Sequence, residues 1–287
     1  MNAIQLMMLA INASMFMVVF TLGLGATFDS IVYLFRRPAL LLRSLLSMNV
    51  IMLAFAIAFC LTFHPPRAIN IALIGLAISP VPPFLPNQQL GAGGSSRYVF
   101  GLLVGTALSS IALVPITIGF LDHVFGLDIE IPAAKVATIV CITVLIPLLL
   151  GVVVRHFWPE VAARIERPIS RVGNVLLLLA AVPMLVIVTP LLWPLIGNGV
   201  LAALVAFTLV GVTVGHLLGG PDPRKRAVLA LATGSRHPGI ALAIASINFP
   251  GQKDVMAVVI YHLVIGALVA LPYVIWRKRA RAARAAT

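Results

Sequence analysis

The chain has 287 residues, of which 61% are hydrophobic and only 10% are charged. Soluble proteins contain about 45 to 50% apolar and about 25% charged residues, so this composition excludes a water-soluble globule. Because each bilayer crossing needs about 20 apolar residues, the sequence predicts an integral membrane protein with almost no domain outside the membrane. The net charge of +12 therefore has to be interpreted loop by loop.

Nine long apolar runs follow one another along the chain and predict nine transmembrane helices. They cover residues 4–26, 39–63, 69–85, 99–121, 133–156, 169–193, 197–218, 227–249 and 255–276. The first run is interpreted as a span and not as a cleaved signal peptide, because no basic segment precedes it and no small-residue cleavage site follows it. The sequence thus predicts an all-α membrane protein.

The lysine and arginine residues indicate the orientation of these helices, since loops rich in positive charge stay in the cytoplasm. When successive loops are placed on alternate sides, sixteen of the 20 basic residues fall on one side and only Arg67, Lys135 and Lys253 fall on the other. This asymmetry predicts a plasma (inner) membrane protein with its N-terminus outside and a basic cytoplasmic tail at 277–287. The tail is expected to contact anionic lipid of the bilayer, and nucleic-acid binding by it is the weaker alternative.

The third run contains an interruption that a regular helix cannot accommodate. Four prolines fall within positions 80–86, and the polar triplet Asn87, Gln88 and Gln89 follows them. Proline lacks the amide donor and clashes with the preceding turn. This helix is therefore predicted to be broken within the membrane.

The eighth run has a similar interruption, where Gly234, Pro238 and Gly239 divide an apolar segment. The polar side chains around it belong to Thr233, Ser235, Arg236 and His237. The freed backbone groups cannot be satisfied by lipid, so each break must face protein or a water-filled cavity. Two breaks five spans apart are typical of a secondary transporter built from inverted repeats, whose binding site lies where the interrupted helices cross.

A pair of proline kinks without a ligand is the alternative interpretation of the two breaks. Arg236 argues against it, because a cation at the bilayer midplane is costly and no acidic residue lies inside any predicted span to neutralise it. A functional site is therefore expected around Arg236.

In its order of motifs the sequence resembles the bile acid:sodium symporter family over nearly the whole chain. The resemblance rests on Phe-Thr-Leu-Gly-Leu-Gly at 20–25, Phe-Arg-Arg-Pro at 35–38, and the segments 80–115 and 234–249. It implies one transporter domain over 1–287, in which a panel and a core subdomain are interleaved in sequence. It also implies that the two interrupted helices cross in the core near substrate and sodium sites, and the nine spans correspond to members without an extra N-terminal helix.

The sodium-binding residues of the family are replaced in this chain. Aligned on Gly234 and Gly239, the family's glutamate corresponds to Ala232, and the glutamine and asparagine after it correspond to Arg236 and His237. A methyl group in place of a carboxylate, together with an added guanidinium, makes the site about two charges more positive. At 4 Å and an effective dielectric constant near 20, each charge opposes a cation by roughly 4 kcal/mol. Sodium is not expected to bind there.

The predicted function is transport of a small organic anion, a carboxylate, without the family's sodium sites. Arg236 is the predicted anchor of the anion, helped by the positive ends of the half-helices. The other candidate substrate-binding residues are Thr233, Ser235, His237, Asn87, Gln88, Gln89 and His262. The polar triplet could equally serve to form hydrogen bonds with the backbone of its own broken helix. His262 is also explained as a histidine inside the helix bundle whose hydrogen bonds are satisfied by neighbouring residues.

Two other functions stay open at this point. The first is a sodium-coupled, bile-acid-like symporter with a relocated ion site, and the second is a membrane sensor that binds a ligand without transporting it. The sequence has no nucleotide-binding loop, metal-ligand cluster or nucleophile with its base, so neither an enzyme, a metal site nor a cofactor is predicted.

Overall fold

The computed structural model describes residues 3–125, 131–196, 199–249, 251 and 253–286, and all regular secondary structure within these ranges is helical. The helices are α1 Ala3–Gly25, α2 Phe28–Val32, α3 Pro38–Leu45, α4 Met52–Phe63, α5 Arg67–Ile78, α6 Leu85–Gly91, α7 Ser96–Phe125, α8 Ala133–Val140, α9 Ile146–Phe157, α10 Pro159–Ile196, α11 Val200–Leu218, α12 Pro223–Gly234, α13 Pro238–Asn248 and α14 Lys253–Ala286. A π-helical turn at Leu46–Ile51 joins α3 to α4, and a second at Cys141–Leu145 joins α8 to α9.

Within the described residues, eight helical stretches are long and apolar enough to cross a bilayer. They are Gln5–Gly25, Pro38–Phe63, Ser96–Val124, Ala133–Phe157, Pro159–Ile187, Val200–Leu218, Pro223–Asn248 and Asp254–Ala283. The third predicted span is divided between α5 and α6, and each of these is too short to cross alone. The all-α membrane fold is confirmed, whereas the count of nine spans is not.

The outer surface of the helices suits a lipid environment. On α10 and α11, Leu178, Leu179 and Leu217 are 63%, 68% and 72% exposed. A soluble monomer rarely exposes such continuous apolar surface. In a bilayer the same side chains contact acyl chains, and their exposure costs no free energy.

Helices α1, α9 and α10 pack against one another as one group. A glycine pair brings two of them close together: a Cβ atom on Gly23 of α1 would collide with the carbonyl oxygen of Leu148, and one on Gly151 of α9 would collide with that of Phe20. Small residues let membrane helices approach closely. Such close packing matters in a bilayer, because lipid tails provide no hydrophobic force that drives helices together.

A second group holds both interrupted spans. Helix α11 packs along α12, and α5 contacts α13 and α14. Gly211 and Gly215 of α11, and Gly219 just after its end, form a stripe, and a Cβ on any of them would meet the backbone of α12. For Gly211 these atoms include the Cα of Gly234, at 2.7 Å from the ideal Cβ position. These glycines therefore let α12 lie directly against α11 as far as Gly234.

Candidate functional site

The first interruption lies between α5 and α6, as the prolines predict. Ser79 is extended, with φ −76° and ψ 148°, because a residue before proline avoids the helical region. Its hydroxyl donates to the carbonyl oxygen of Gly75 at 2.6 Å and so satisfies one of the carbonyls at the end of α5. The predicted break is confirmed.

The second interruption lies between α12 and α13. Pro238 starts α13 at a position where a helix needs no amide donor. His237 caps this helix, because its Nδ1 accepts a hydrogen bond from the amide of Gly239 at 3.1 Å. The predicted break is confirmed here as well.

The two breaks cross and are joined through their main chains. The amide of His237 donates to the carbonyl oxygen of Pro80 at 2.9 Å. Close to this point, Gly75 of α5 packs on Ala241 of α13, where a Cβ on the glycine would lie 3.5 Å from the Cα of Ala241. The hydrogen bond thus pairs a main-chain donor of the second break with a main-chain acceptor of the first.

Arg236 lies at this crossing and is only 1% exposed. Its Nη2 donates to the carbonyl oxygen of Met48, and its Nη1 lies 3.4 Å from the carbonyl oxygen of Ser79. Its Nε has no hydrogen-bond partner, and no carboxylate of the described residues forms an ion pair with it. The guanidinium therefore places a fixed cation among main-chain carbonyls contributed by two other segments.

The π-helical turns supply side chains that the sequence analysis did not identify. In the first turn the Ser47 hydroxyl is 2.8 Å from that of Thr233, and in the second the Thr143 hydroxyl is 3.3 Å from Nε2 of His237. A π-helical turn adds a residue to the helix and often marks a functional site. The available signal was the group of polar residues Ser47 and Asn49 inside an otherwise apolar run.

Other predicted site residues lie elsewhere. Gln89 is buried and its amide donates to the carbonyl oxygen of Val228 at 2.9 Å, which ties α6 to α12. In the same helix, Asn87 is exposed and Gln88 is half-buried. Among the residues that make hydrogen bonds with Arg236 and His237, none belongs to this triplet.

Ser235 and His262 complete the predicted set. Ser235 is half-buried within the second break. His262 of α14 is 1% exposed, and its ring lies edge-on to Phe207 with 5.4 Å between the centroids. The Nδ1 of His262 has no hydrogen-bond partner among the described residues.

An apolar cavity of about 340 Å³ adjoins the first break. Helices α4, α5, α7 and α13 line it, and Ile78 beside Ser79 forms part of its wall. Its polar lining comes from Arg67, whose guanidinium is 5.4 Å from the ring centroid of Phe249, and from Asn70, whose buried Oδ1 has no partner in the described part of the chain. This size and lining are typical of a small-molecule site.

This cavity has no clear signal in the amino-acid sequence. Arg67 was interpreted only as a loop charge, and Asn70 belongs to an apolar run in which one amide has little effect on hydropathy. In the part of the chain that the structure describes, no group of three histidine, cysteine or acidic residues is arranged to hold a metal ion.

Comparison with known proteins gives one family. The Sodium Bile acid symporter family matches residues 13–193, which include the first break and end before Arg236. A search of curated proteins found no match. Because the family match covers more than half of the 287 residues, the chain belongs to the sodium bile acid symporter family, whose members are membrane transporters and not enzymes.

Proposed function

We propose that the protein is a secondary transporter of a small organic anion, a carboxylate, and that it does not use sodium. The observation that carries this proposal is the guanidinium of Arg236, which is buried at the crossing of the two broken helices without a carboxylate partner among the described residues. An uncompensated cation at membrane depth is unfavourable until an anion approaches it. A bound carboxylate provides that compensation.

Arg236 also takes the role that a coupling ion has in other transporters. Unwound backbone carbonyls at broken helices are common ligands for sodium or protons. Here the carbonyls of Met48 and Ser79 face the guanidinium instead. The positive charge is part of the protein, so no ion has to bind before the anion does.

The helix packing supports a transport cycle with two moving parts. We take α1, α9 and α10 as the panel and the helices around the crossing as the core, in line with the contacts within each group. The anion is held by Arg236 with Thr233, Ser235 and His237, after the core has moved so that the crossing opens. The cavity next to Ile78 receives the apolar part of the substrate, while roles for Asn87, Gln88, Gln89 and His262 stay predictions.

The experiment that tests this function begins with a thermal-shift screen of organic acids on the purified protein. The acids that raise the melting temperature are then offered as labelled substrates to proteoliposomes. Uptake that saturates with concentration supports the transporter. Binding without uptake would contradict transport and identify a sensor.

The second test concerns the coupling ion. When sodium is replaced by potassium or choline at constant ionic strength, uptake and binding are expected to change by less than about twofold, because Ala232 and Arg236 provide no cation site. Initial uptake rates in proteoliposomes measure this. A steep, saturable dependence on sodium would instead establish the symporter with a relocated site.

The orientation proposed from the loop charges is tested by cysteine labelling. In a variant whose native Cys60 and Cys141 are replaced, a cysteine at the exposed Ala134 is expected to react with an impermeant reagent in intact cells. One at the exposed Ala283 is expected to react only after the membrane is opened. The reverse pattern would show that the C-terminus is outside.

A further inference from the structure

Three arginines from three different helices converge on the loop between α11 and α12. Nε of Arg226 donates to the carbonyl oxygen of Gly220, and Nη2 of Arg277 donates to that of Pro223 at 2.7 Å. Nη1 of Arg43 lies 3.1 Å from the position that a Cβ on Gly220 would occupy. One short loop thus gathers three guanidinium groups from α3, α12 and α14.

The acidic residue of this loop does not neutralise them. The carboxylate of Asp222 caps α12 by accepting from the amide of Arg224 at 2.9 Å, and it lies 3.8 Å from Nε of that arginine. Within the described ranges, Arg43, Arg226 and Arg277 form no ion pair. The loop therefore carries a local excess of positive charge.

Arg277 is buried and has a hydrogen-bond donor that is unpaired within the described residues. It is 8% exposed, and its Nε has no hydrogen-bond partner in the described part of the chain. Burial of a guanidinium with an unused donor costs free energy, and repulsion between Arg277 and Arg226 adds to that cost. An anion that contacts several of these guanidinium groups would offset both.

Aromatic side chains surround the same end of α11 and α14. Nδ1 of His216 is 2.8 Å from the hydroxyl of Tyr273, the ring of Trp276 lies 5.7 Å from that of His216, and the guanidinium of Arg277 is 5.5 Å from the Trp276 ring centroid. Tyrosine and tryptophan concentrate at the boundary between lipid and water. We therefore expect the cluster to lie at the level of the lipid headgroups.

The adjoining surface is apolar. Leu217 lies three residues before Gly220 on α11 and is 72% exposed. Leu217 therefore places apolar surface directly beside the charged loop. A ligand with an anionic head and apolar chains contacts both surfaces at once, whereas a soluble anion contacts only the first.

We propose that Arg43, Arg226 and Arg277 bind the headgroup phosphate of an anionic phospholipid, whose acyl chains lie along Leu217. Guanidinium groups bind phosphate oxygens with paired, charge-assisted hydrogen bonds. Basic pockets between membrane helices bind anionic headgroups in this way. The site is independent of the proposed anion transport, because its ligand stays in the bilayer and its test measures no uptake.

The test uses the full-length protein in nanodiscs of phosphatidylcholine that contain increasing fractions of phosphatidylglycerol. Native mass spectrometry measures the lipid that stays bound, and thermal unfolding measures its effect on stability. Arg277→Gln and Arg43→Gln are expected to weaken the retention of phosphatidylglycerol by about fivefold or more. Arg279→Gln removes the same charge from an exposed neighbour in α14, and is expected to change retention by less than about twofold.

The outcomes separate the possible ligands. Equal losses in Arg279→Gln and Arg277→Gln would overturn the site in favour of diffuse attraction between the basic tail and the membrane. Stabilisation by inorganic phosphate in pure phosphatidylcholine discs, equal to that by phosphatidylglycerol, would overturn the lipid as ligand. Arg43 is exposed, so Arg43→Gln keeps the test decisive if the buried Arg277 variant does not fold.

Discussion

Replacement of Arg236 by glutamine is expected to lower the affinity for the transported anion by about 100-fold or more. Removal of one partner from a buried, charge-assisted contact costs several kcal/mol of binding free energy. Arg236→Lys retains the charge but cannot reach the carbonyls of Met48 and Ser79 together, nor can it bind a carboxylate through two parallel hydrogen bonds. We therefore expect an intermediate loss for lysine.

Ligand affinity and melting temperature must be measured on the same purified variants. The competing explanation is that Arg236 only satisfies main-chain carbonyls, in which case both variants lose stability while each folded molecule binds as before. Arg155→Gln serves as the matched control, because it removes an exposed guanidinium at the end of α9. Unchanged affinity per folded molecule in Arg236→Gln would refute the role of the arginine as anchor.

Replacement of Gly215 by alanine is expected to destabilise the protein by about 1 to 3 kcal/mol, the usual range for overpacking. The added Cβ would collide with the carbonyl oxygen of Leu229 and come within 2.6 Å of the Cα of Ala230, and neither backbone atom can move without displacing α12. Since α12 ends at Gly234 and carries Arg236 just beyond it, the same displacement is expected to weaken anion binding.

The control for this substitution is Gly119→Ala in α7. A Cβ on Gly119 meets no atom within 4 Å, so this variant is expected to gain only the helix preference of alanine, about 0.5 to 1 kcal/mol, and not to lose stability. Thermal unfolding of both variants in the same detergent gives the comparison. Equal melting temperatures for Gly215→Ala and Gly119→Ala would show that α11 and α12 can separate without penalty.

The helical fold and the positions of both breaks were determined by local sequence. Long apolar runs specify membrane helices, because a bilayer leaves no other way to satisfy the backbone of a single segment. Pro80 ended α5 and Pro238 became the first residue of α13, since the steric effect of proline acts within one turn. Arg236 was identified for the same reason: a cation in an apolar run is visible without knowledge of its neighbours.

The partners of Arg236 were decided by the tertiary structure alone. Met48 and Ser79 lie 188 and 157 residues away along the chain, and the main-chain carbonyls that they contribute have no signature in the sequence. The cavity beside Ile78 likewise arises from the spacing of four helices, and its apolar lining residues are ordinary in their own runs. Hydropathy and proline act on a single helix, whereas a site at a helix crossing depends on how distant segments pack, which no local pattern contains.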